Sequence, residues 1–198
     1  MIKVNKILYL AVALAIVTNL SVKCQEVNSN IRNVGVEEGL SNPFILSLAK
    51  DKYGYFWIGT KDGINRFDGE KIVQYHGGDQ PGIPSFIDIQ NIYSDISGDI
   101  WISCDKKYLL RYDYLDDRFS LIREFERNCT ITHICSDKQG KLWVGTRTGL
   151  RILKKTANGY DDTYLFVREK LSLGKTHISF VKRFENEILW VATQNGLF

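Results

Sequence analysis

The residue types most able to do chemistry in this sequence are three histidines, four cysteines and a few pairs of adjacent acids. Nucleophilic catalysis needs a hydroxyl or thiol beside a general base, and glycoside hydrolysis needs two carboxylates facing one another. The chain has no Gly-x-Ser-x-Gly elbow, no His-Glu-x-x-His and no phosphate-binding glycine loop. We therefore predict no catalytic residue and expect that the protein is not an enzyme by itself.

Cysteine spacing excludes the common zinc motifs. No Cys-x-x-Cys occurs, and no two cysteines lie at zinc-ligand spacing from a histidine. Cys104, Cys129 and Cys135 are interpreted as small buried hydrophobes in strands, and no metal or cofactor is predicted. The acid pairs Asp116-Asp117 and Asp161-Asp162 are interpreted as solvated turn acids rather than as a calcium loop or a glycosidase dyad.

A repeat must position these side chains, and tryptophan marks its period. The four tryptophans are separated by 44, 42 and 47 residues, which is typical of propellers and repeat arrays. An Asp-x-x-Gly turn precedes the first three, and a hairpin glycine follows the first, third and fourth by six residues. The repeated residues are Trp57, Trp101, Trp143, Trp190, Gly54, Gly98, Gly140, Gly63, Gly149 and Gly196.

Each repeated position predicts a local structure. The Asp side chain should accept hydrogen bonds from backbone N–H groups of a tight turn, where Gly supplies a positive φ. Trp and its apolar neighbours predict a short strand buried on both faces. The small residue two places after each Trp predicts close approach of a neighbouring ring or backbone. Upstream, apolar residues spaced by three predict a strand that is bulged or apolar on both faces.

These strands predict an all-β fold of four-stranded antiparallel β-propeller blades. The first unit should have strands at 45–50, 55–60, 64–68 and 71–75. The second copy has Lys107 in place of the hairpin glycine and one extra residue. About four blades, the last incomplete, are expected to form a partial ring within residues 25–198, at 45–76, 87–122, 130–167 and 176–198. Residues 31–34 are a candidate closing strand.

Residues 1–24 predict a cleaved signal peptide, and hence an exported, periplasmic protein. They hold three lysines, no acid and the eleven-residue apolar run 7–17, which is too short to span a bilayer. A lipid-modified Cys24 and an uncleaved anchor are the alternatives. Those three lysines account for the whole net charge of +3, so the remaining residues are neutral. A neutral body predicts no nucleic-acid partner.

The repeat resembles the two-component regulator propeller repeat, Asp-x-x-Gly-x-x-Trp-Ile-Gly-Thr-x-x-Gly-Leu-x-x-Tyr-Asp. Residues 51–68 match this form almost throughout, and Glu38-Gly39-Leu40-Ser41-Asn42 is similar to the start of the first blade in that family. The resemblance implies an N-terminal sensor fragment of an exported receptor from a hybrid two-component system. It further implies recognition of glycan-derived oligosaccharides. The parent histidine kinase would supply the remaining blades and kinase domains, an inner-membrane anchor and a homodimer partner.

The predicted binding surface is the loop between the second and third strands of each blade. These loops are polar and differ between copies, whereas the flanking turns repeat, and variable loops on a fixed scaffold commonly carry recognition. Plain solvent-exposed hairpin tips are the simpler interpretation of any one residue. An exported propeller enzyme, such as a polysaccharide lyase, and a structural protein–protein interaction propeller are the alternative functions. The candidate residues are Lys61, Asp62, Asp105, Lys106, Arg147, Thr148, Gln194 and Asn195.

Overall fold

The computed structural model describes residues 31–80, 83–85, 88–157, 159–164, 176–183 and 188–198. In these residues all regular structure is β, and every strand belongs to the compact unit of residues 34–198. The same residues contain no helix that is long and apolar enough to cross a bilayer. The predicted signal peptide lies outside the described residues.

Each sheet is a meander whose strands pair antiparallel in chain order. The first contains β1 (Ile45–Lys50), β2 (Phe56–Thr60), β3 (Gly63–Phe67) and β4 (Ile72–Tyr75). The second contains β5 (Ile89–Ser94), β6 (Ile100–Cys104), β7 (Tyr108–Asp113) and β8 (Arg118–Glu124). The third contains β9 (Ile131–Ser136), β10 (Leu142–Thr146), β11 (Gly149–Thr156) and β12 (Gly159–Tyr164). The fourth contains β13 (Ile178–Arg183), β14 (Leu189–Thr193) and β15 (Gly196–Leu197).

These sheets are successive propeller blades, so the predicted fold class is confirmed. Strands β1, β5, β9 and β13 lie next to one another, which makes them the inner strands of the blades. Strand bounds in the first blade differ from the predicted ones by at most one residue. In the second blade, β8 continues to Glu124, past the expected end at residue 122, because β7 pairs with it as far as Tyr108. Residues 31–34 have no regular secondary structure, and their role in ring closure stays a prediction.

The inner strand of every described blade carries a β-bulge one residue after its first isoleucine. The register shifts between Ile45 and Ser47 in β1 and between Ile89 and Asn91 in β5, with equivalent shifts in β9 and β13. The extra residue brings two apolar residues three positions apart onto the same buried face, as with Ile89 and Ile92. Of the two structures that this spacing predicted, the bulge is the one observed.

In the first and third blades, the glycine two places after the Trp makes room for an isoleucine of the next blade. A Cβ atom added to Gly59 would lie 2.5 Å from Ile89 Cγ2, and one added to Gly145 would lie 2.8 Å from Ile178 Cγ2. The neighbour from the next blade is therefore an aliphatic side chain, not the ring or backbone that the sequence suggested, and at Gly59 the Ser47 hydroxyl of the same blade also lies close. Ile89 and Ile178 are fully buried, whereas Ile45, their equivalent in the first blade, is 52% exposed.

The repeat tryptophans differ in burial along the chain. Trp57 is fully buried and its ring centroid lies 4.6 Å from that of Tyr112 in the second blade. Trp101 is 2% exposed and meets the edge of Tyr160 in the third blade at 5.4 Å. Trp190 is 42% exposed. The described cores thus lie between neighbouring blades, and the first of them is the richest in aromatic rings.

Two minor predictions were wrong about location. Cys104 and Cys135 lie in strands as expected, but Cys129 lies in the connection that precedes β9, and all three are buried free thiols. Asp161 and Asp162 lie within β12 and not in a turn, because β11 continues to Thr156 and pairs with β12 up to Gly159.

Candidate functional site

Each two-residue hairpin between second and third strands is held by the threonine that ends the second strand. The Thr60 hydroxyl donates to the carbonyl of Gly63 (3.0 Å) and accepts from the backbone N–H of Asp62 (3.0 Å). Thr146 and Thr193 make the same pair of bonds in the third and fourth blades. Gly63 closes the hairpin at φ 97°, a conformation that disfavours other residue types. The repeat in the sequence includes this threonine, but the pair of hydrogen bonds that its hydroxyl makes was not predicted.

The hairpin lies beside the segment that enters the inner strand of the same blade. The backbone N–H of Lys61 donates to the carbonyl of Phe44 at 3.1 Å. The equivalent bonds run from Asp105 to Asp88 and from Arg147 to Thr130, both at 2.9 Å. The predicted loop residues and the connections between blades therefore share one end of each blade.

In the second blade the hairpin has three residues, as the extra residue predicted. It lies between the paired residues Cys104 and Tyr108, and two of its residues, Asp105 (φ 46°) and Lys106 (φ 64°), are left-handed although neither is glycine. Such strain costs about 1–3 kcal/mol per residue and persists only where the surroundings fix it.

Side chains and backbone from two blades fix this strained hairpin. The backbone N–H of Lys106 donates to Gln90 Oε1 (3.0 Å), and that of Asp88 donates to Asp105 Oδ1 (3.1 Å). The carbonyl of Lys106 accepts from the N–H of Ile131 at the start of the third blade (2.8 Å). Gln90 is the bulged residue of β5, so the inner strand and the hairpin position one another.

A groove of about 470 Å³ borders this hairpin. Lys107 and Glu124 form an exposed ion pair across it, with Nζ and Oε1 2.8 Å apart, and this pairing raises the pKa of Lys107. Glu126 and Arg127 add further charged groups around the buried ring of Phe125. The groove thus combines donors, acceptors and an apolar floor, a composition typical of small-ligand sites.

The other predicted loop residues have varied surroundings. Lys61 Nζ lies 4.8 Å above the ring of Phe44, and Asp62 Oδ1 lies 3.9 Å from His76 Nδ1. The Thr148 hydroxyl contacts Cys129 Sγ at 3.3 Å. Arg147, Gln194 and Asn195 are exposed. Their role in binding stays a prediction.

The turn aspartate of the first blade binds more than its own turn. Asp51 Oδ1 accepts the backbone N–H groups of Tyr53 and Tyr55, both at 2.9 Å, which is the predicted capping. Its Oδ2 accepts the indole N–H of Trp57 (2.8 Å) and the hydroxyl of Tyr114 from the second blade (2.7 Å). The same carboxylate therefore joins turn, tryptophan and neighbouring blade.

The third blade uses its turn aspartate differently. In the second blade, Asp95 Oδ2 accepts the indole N–H of Trp101 at 2.9 Å. In the third, Asp137 Oδ2 lies 3.1 Å from the guanidinium Nη1 of Arg183 in the fourth blade. The indole nitrogen of Trp143 is buried and has no hydrogen-bond partner in the described part of the chain.

A polar and aromatic cluster that the sequence did not predict joins the first two blades. The Arg66 guanidinium lies 5.2–5.8 Å from the ring centroids of Tyr55, Trp57, Tyr75 and Tyr112. Asp117 Oδ1 accepts the hydroxyls of Tyr75 (2.8 Å) and Tyr112 and lies 3.4 Å from Arg66 Nη1. Asp117 is thus not the plain solvated turn acid that the sequence suggested.

The cluster shifts the pKa values of its members. Burial, together with the hydrogen bond to Asp117, raises the pKa of Tyr112 to about 12 and raises that of Tyr75 further. Burial alone would raise the pKa of Asp117, but the hydrogen bonds from Tyr112 and Tyr75 and the charge of Arg66 outweigh it, so this pKa lies below its usual value. The described residues hold no group of acids, histidines and cysteines arranged for a metal ion.

Successive antiparallel blades, each with a second strand that carries the repeat tryptophan, define the class as a β-propeller made of short repeats. Comparison with protein families identifies the repeat: residues 39–62 and 126–148 match the family described as two component regulator propeller. The resemblance stated from the sequence is therefore confirmed.

This chain matches only a small part of each of its larger relatives. Histidine kinase P4 of Formosa agariphila is 36% identical over 56 residues, which are 28% of this chain and 4% of that kinase. An extracellular domain described as part of a hybrid two-component system of B. thetaiotaomicron superposes with a TM-score of 0.66 at 21% identity, covering 81% of this chain and 22% of that one. A second such domain from the same organism gives 0.62 at 22% identity, covering 84% and 30%.

Propellers of other kinds are similar too. Virginiamycin B lyase from Staphylococcus aureus superposes with a TM-score of 0.56 at 16% identity, covering 78% of this chain and 54% of the lyase. At these identities the structural likenesses show the fold alone. The chain spans less than a third of the two-component domains to which it is similar.

Proposed function

We propose that this chain is the N-terminal part of an exported sensor of a hybrid two-component system and contributes to recognition of glycan-derived oligosaccharides without catalysis. The parent protein would be an inner-membrane-anchored homodimeric histidine kinase that supplies further blades and the kinase domains. The repeat family and the extracellular domains to which the chain is similar support the sensor role. N-terminal sequencing of periplasmic protein tests export, with a first residue near Gln25 expected and an intact Met1 in the cytoplasm contradicting it.

The observation that carries the recognition role is the strained hairpin of the second blade. Asp105 and Lys106 keep left-handed backbones that four bonds from two blades enforce, which is unnecessary for a simple turn where glycine would serve. Backbone strain held in this way is concentrated at functional sites in proteins.

The ligand class follows from the chemistry of the adjoining groove. Lys107, Glu124, Glu126 and Arg127 offer charged donors and acceptors, and sugar hydroxyl groups both donate and accept hydrogen bonds. A groove of about 470 Å³ is large enough for one or two sugar rings. A short oligosaccharide therefore fits the surface better than a large apolar molecule.

Titration of the purified chain with plant and host oligosaccharides, followed by ligand NMR, tests this role. We expect weak binding, with a Kd of about 1 mM for the best oligosaccharide. Lys106→Asn removes the charge but tolerates the left-handed backbone, and should weaken binding about tenfold through loss of a charge-assisted hydrogen bond.

The matched control is Lys138→Asn, at an exposed turn on the opposite end of a blade. Its affinity should equal that of the unaltered chain. Equal affinity of the Lys106→Asn variant would contradict the hairpin site. Turnover of a bound oligosaccharide to an unsaturated product that absorbs ultraviolet light would contradict the non-catalytic role.

A further inference from the structure

The inner strand of the first blade exposes apolar residues whose counterparts in the second blade are buried. Ile45 and Leu48 on β1 are both more than half exposed. Their counterparts on β5, Ile89 and Ile92, are buried in the core that the first two blades share. Ile45 and Leu48, which we call the first-blade face, therefore have the side chains of a blade interface without a neighbouring blade against them.

The fourth blade exposes the complementary half of a blade interface. Trp190 is 42% and Leu197 is 61% exposed, and Leu197 pairs with the small residue Ala192. These three residues lie on one side of the sheet, because Trp190 and Ala192 are two positions apart on β14. Their counterparts in the first blade include Trp57 and Ile64, both fully buried against the second blade. We call Trp190, Ala192 and Leu197 the fourth-blade face.

A hydroxyl on the fourth blade is placed for the hydrogen bond that joins consecutive blades elsewhere. The Ser47 hydroxyl donates to the carbonyl of Ile89 at 3.0 Å, and the Thr132 hydroxyl donates to that of Ile178. Ser179 is the second residue of β13, as Thr132 is of β9. It is exposed and donates within its own blade, at 3.1 Å. Ser179 can therefore donate to the first isoleucine of another inner strand.

A second copy of this chain carries the partner of each face. Within one chain the two faces do not meet, since both stay exposed. Between two copies, an isoleucine of one would lie against a small residue of the other, which is the contact that Ile89 makes with Gly59. Two copies with four described blades each could make this contact twice and close a ring of eight. Known propellers have about four to eight blades, and contacts between unlike faces close rings in this way.

We propose that two copies of the 198-residue chain associate through both pairs of faces, with Ile45 of each copy against Ala192 and Trp190 of the other. In this dimer the Ser179 hydroxyl donates to the carbonyl of Ile45. The association goes beyond the proposed function and does not depend on oligosaccharide recognition, because the hairpin residues belong to neither face. Further blades of a longer parent chain would occupy the same faces, so the test uses this chain alone.

Sedimentation-velocity centrifugation of the purified chain, from about 1 to 100 µM, tests the association. We expect a monomer–dimer equilibrium with a Kd of about 10 µM, so that the monomer predominates at the lowest concentrations. Species larger than a dimer should be absent, because a closed ring leaves no free face.

Substitutions on the two faces test where the copies meet. Ile45→Asp and Leu197→Asp each place a charge in both contacts of the dimer, and each should weaken dimerisation more than about 100-fold. Leu115→Asp is the matched control: Leu115 is 96% exposed between β7 and β8 and belongs to neither face. Its Kd should equal that of the unaltered chain.

An equimolar mixture of the two face variants separates this contact from general apolar association. The unaltered fourth-blade face of Ile45→Asp can meet the unaltered first-blade face of Leu197→Asp, which restores one contact of the two. The mixture should therefore dimerise more weakly than the unaltered chain but more tightly than either variant. Circular dichroism checks that the variants fold, and Leu48→Asp gives the same comparison where Ile45→Asp does not fold.

Four outcomes would overturn the proposal. A monomer at every concentration would leave the two faces to further blades of a longer chain. Continuous growth into larger species would exclude a closed ring. Equal weakening by Leu115→Asp would exclude the two faces as the specific contact, and a mixture no tighter than the single variants would exclude pairing between unlike faces.

Discussion

The interface between the first and second blades and the interface between the third and fourth are built from the same repeat but bonded differently. At the first, Asp51 holds Trp57 and Tyr114, and the tryptophan is fully buried. At the other, Asp137 faces Arg183 and the Trp143 indole has no described partner. The apolar half of the motif therefore specifies the fold, while its carboxylate is available for other uses.

The two interfaces also differ in how closely their side chains pack. The first packs Tyr75, Tyr112 and Phe119 around Trp57, with ring centroids 4.6–6.4 Å from that of the indole. The other leaves a cavity of about 300 Å³ on its inner side. A closely packed aromatic core favours stability, whereas a cavity lined by polar groups favours binding.

The largest expected effect is at the aromatic interface. Trp57→Ala should lower the free energy of unfolding by about 3–5 kcal/mol, because it empties a fully buried site. Trp190→Ala, at a ring that is 42% exposed, should lower it by less than about 1 kcal/mol. Urea unfolding of both variants measures the difference, and similar losses would contradict the burial described for Trp57.

The next largest effect is expected at Gly59 and Gly145, the two glycines that lie against an isoleucine of the following blade. Gly59→Ala should cost about 1–3 kcal/mol, since its Cβ would lie within 2.5 Å of Ile89 Cγ2. Gly145→Ala should cost less, because its nearest contact, Ile178 Cγ2, lies at 2.8 Å, whereas the added Cβ of Gly59 meets both Ser47 Oγ and Ile89 Cγ2 more closely. Gly35→Ala, whose nearest contact is 3.4 Å, is the control for both. A larger loss at Gly145 than at Gly59 in urea unfolding would reverse the comparison.

A smaller effect isolates the indole hydrogen bond. Trp57→Phe loses the bond to Asp51, whereas Trp143→Phe loses none that is described. The first variant should therefore be less stable than the second, relative to the unaltered chain, by about 1 kcal/mol. The Asp51→Ala background should remove most of this difference. Equal losses in thermal or urea unfolding would show that the bond contributes nothing.

The smallest effect is a pH dependence at the same interface. The pKa of Tyr112 is raised to about 12 in the folded chain, above the usual value of about 10. Its contribution to stability is therefore complete below about pH 10 and is lost as the pH rises towards 12. Urea midpoints measured from pH 9 to 12 should fall less steeply in Tyr112→Phe. An equal slope in the unaltered chain and in Tyr112→Phe would exclude a specific role for Tyr112.

Local structure was largely predictable from the sequence. The Asp-x-x-Gly turn, the inner-strand bulge and the longer hairpin at Lys107 each follow from a residue or spacing within one repeat. The partners of Asp51 Oδ2 and Asp137 Oδ2 were not predictable, because Tyr114 and Arg183 belong to other blades and lie outside the repeated positions. His133 shows the same limit: its offset from Trp143 matched no repeat, and only the packing of three inner strands places it at a cavity.

The isoleucine that opens an inner strand and the small residue two places after the tryptophan have a consequence for how such chains change in evolution. Gly59 of the first blade contacts Ile89 of the second, and every repeat has a residue at both of these positions. A blade duplicated in tandem therefore contributes the small residue that contacts the next blade. It also contributes the isoleucine that contacts the previous blade. Blade number can increase by whole repeats without any new complementary pair of residues, while the hairpin of each added blade can differ in sequence.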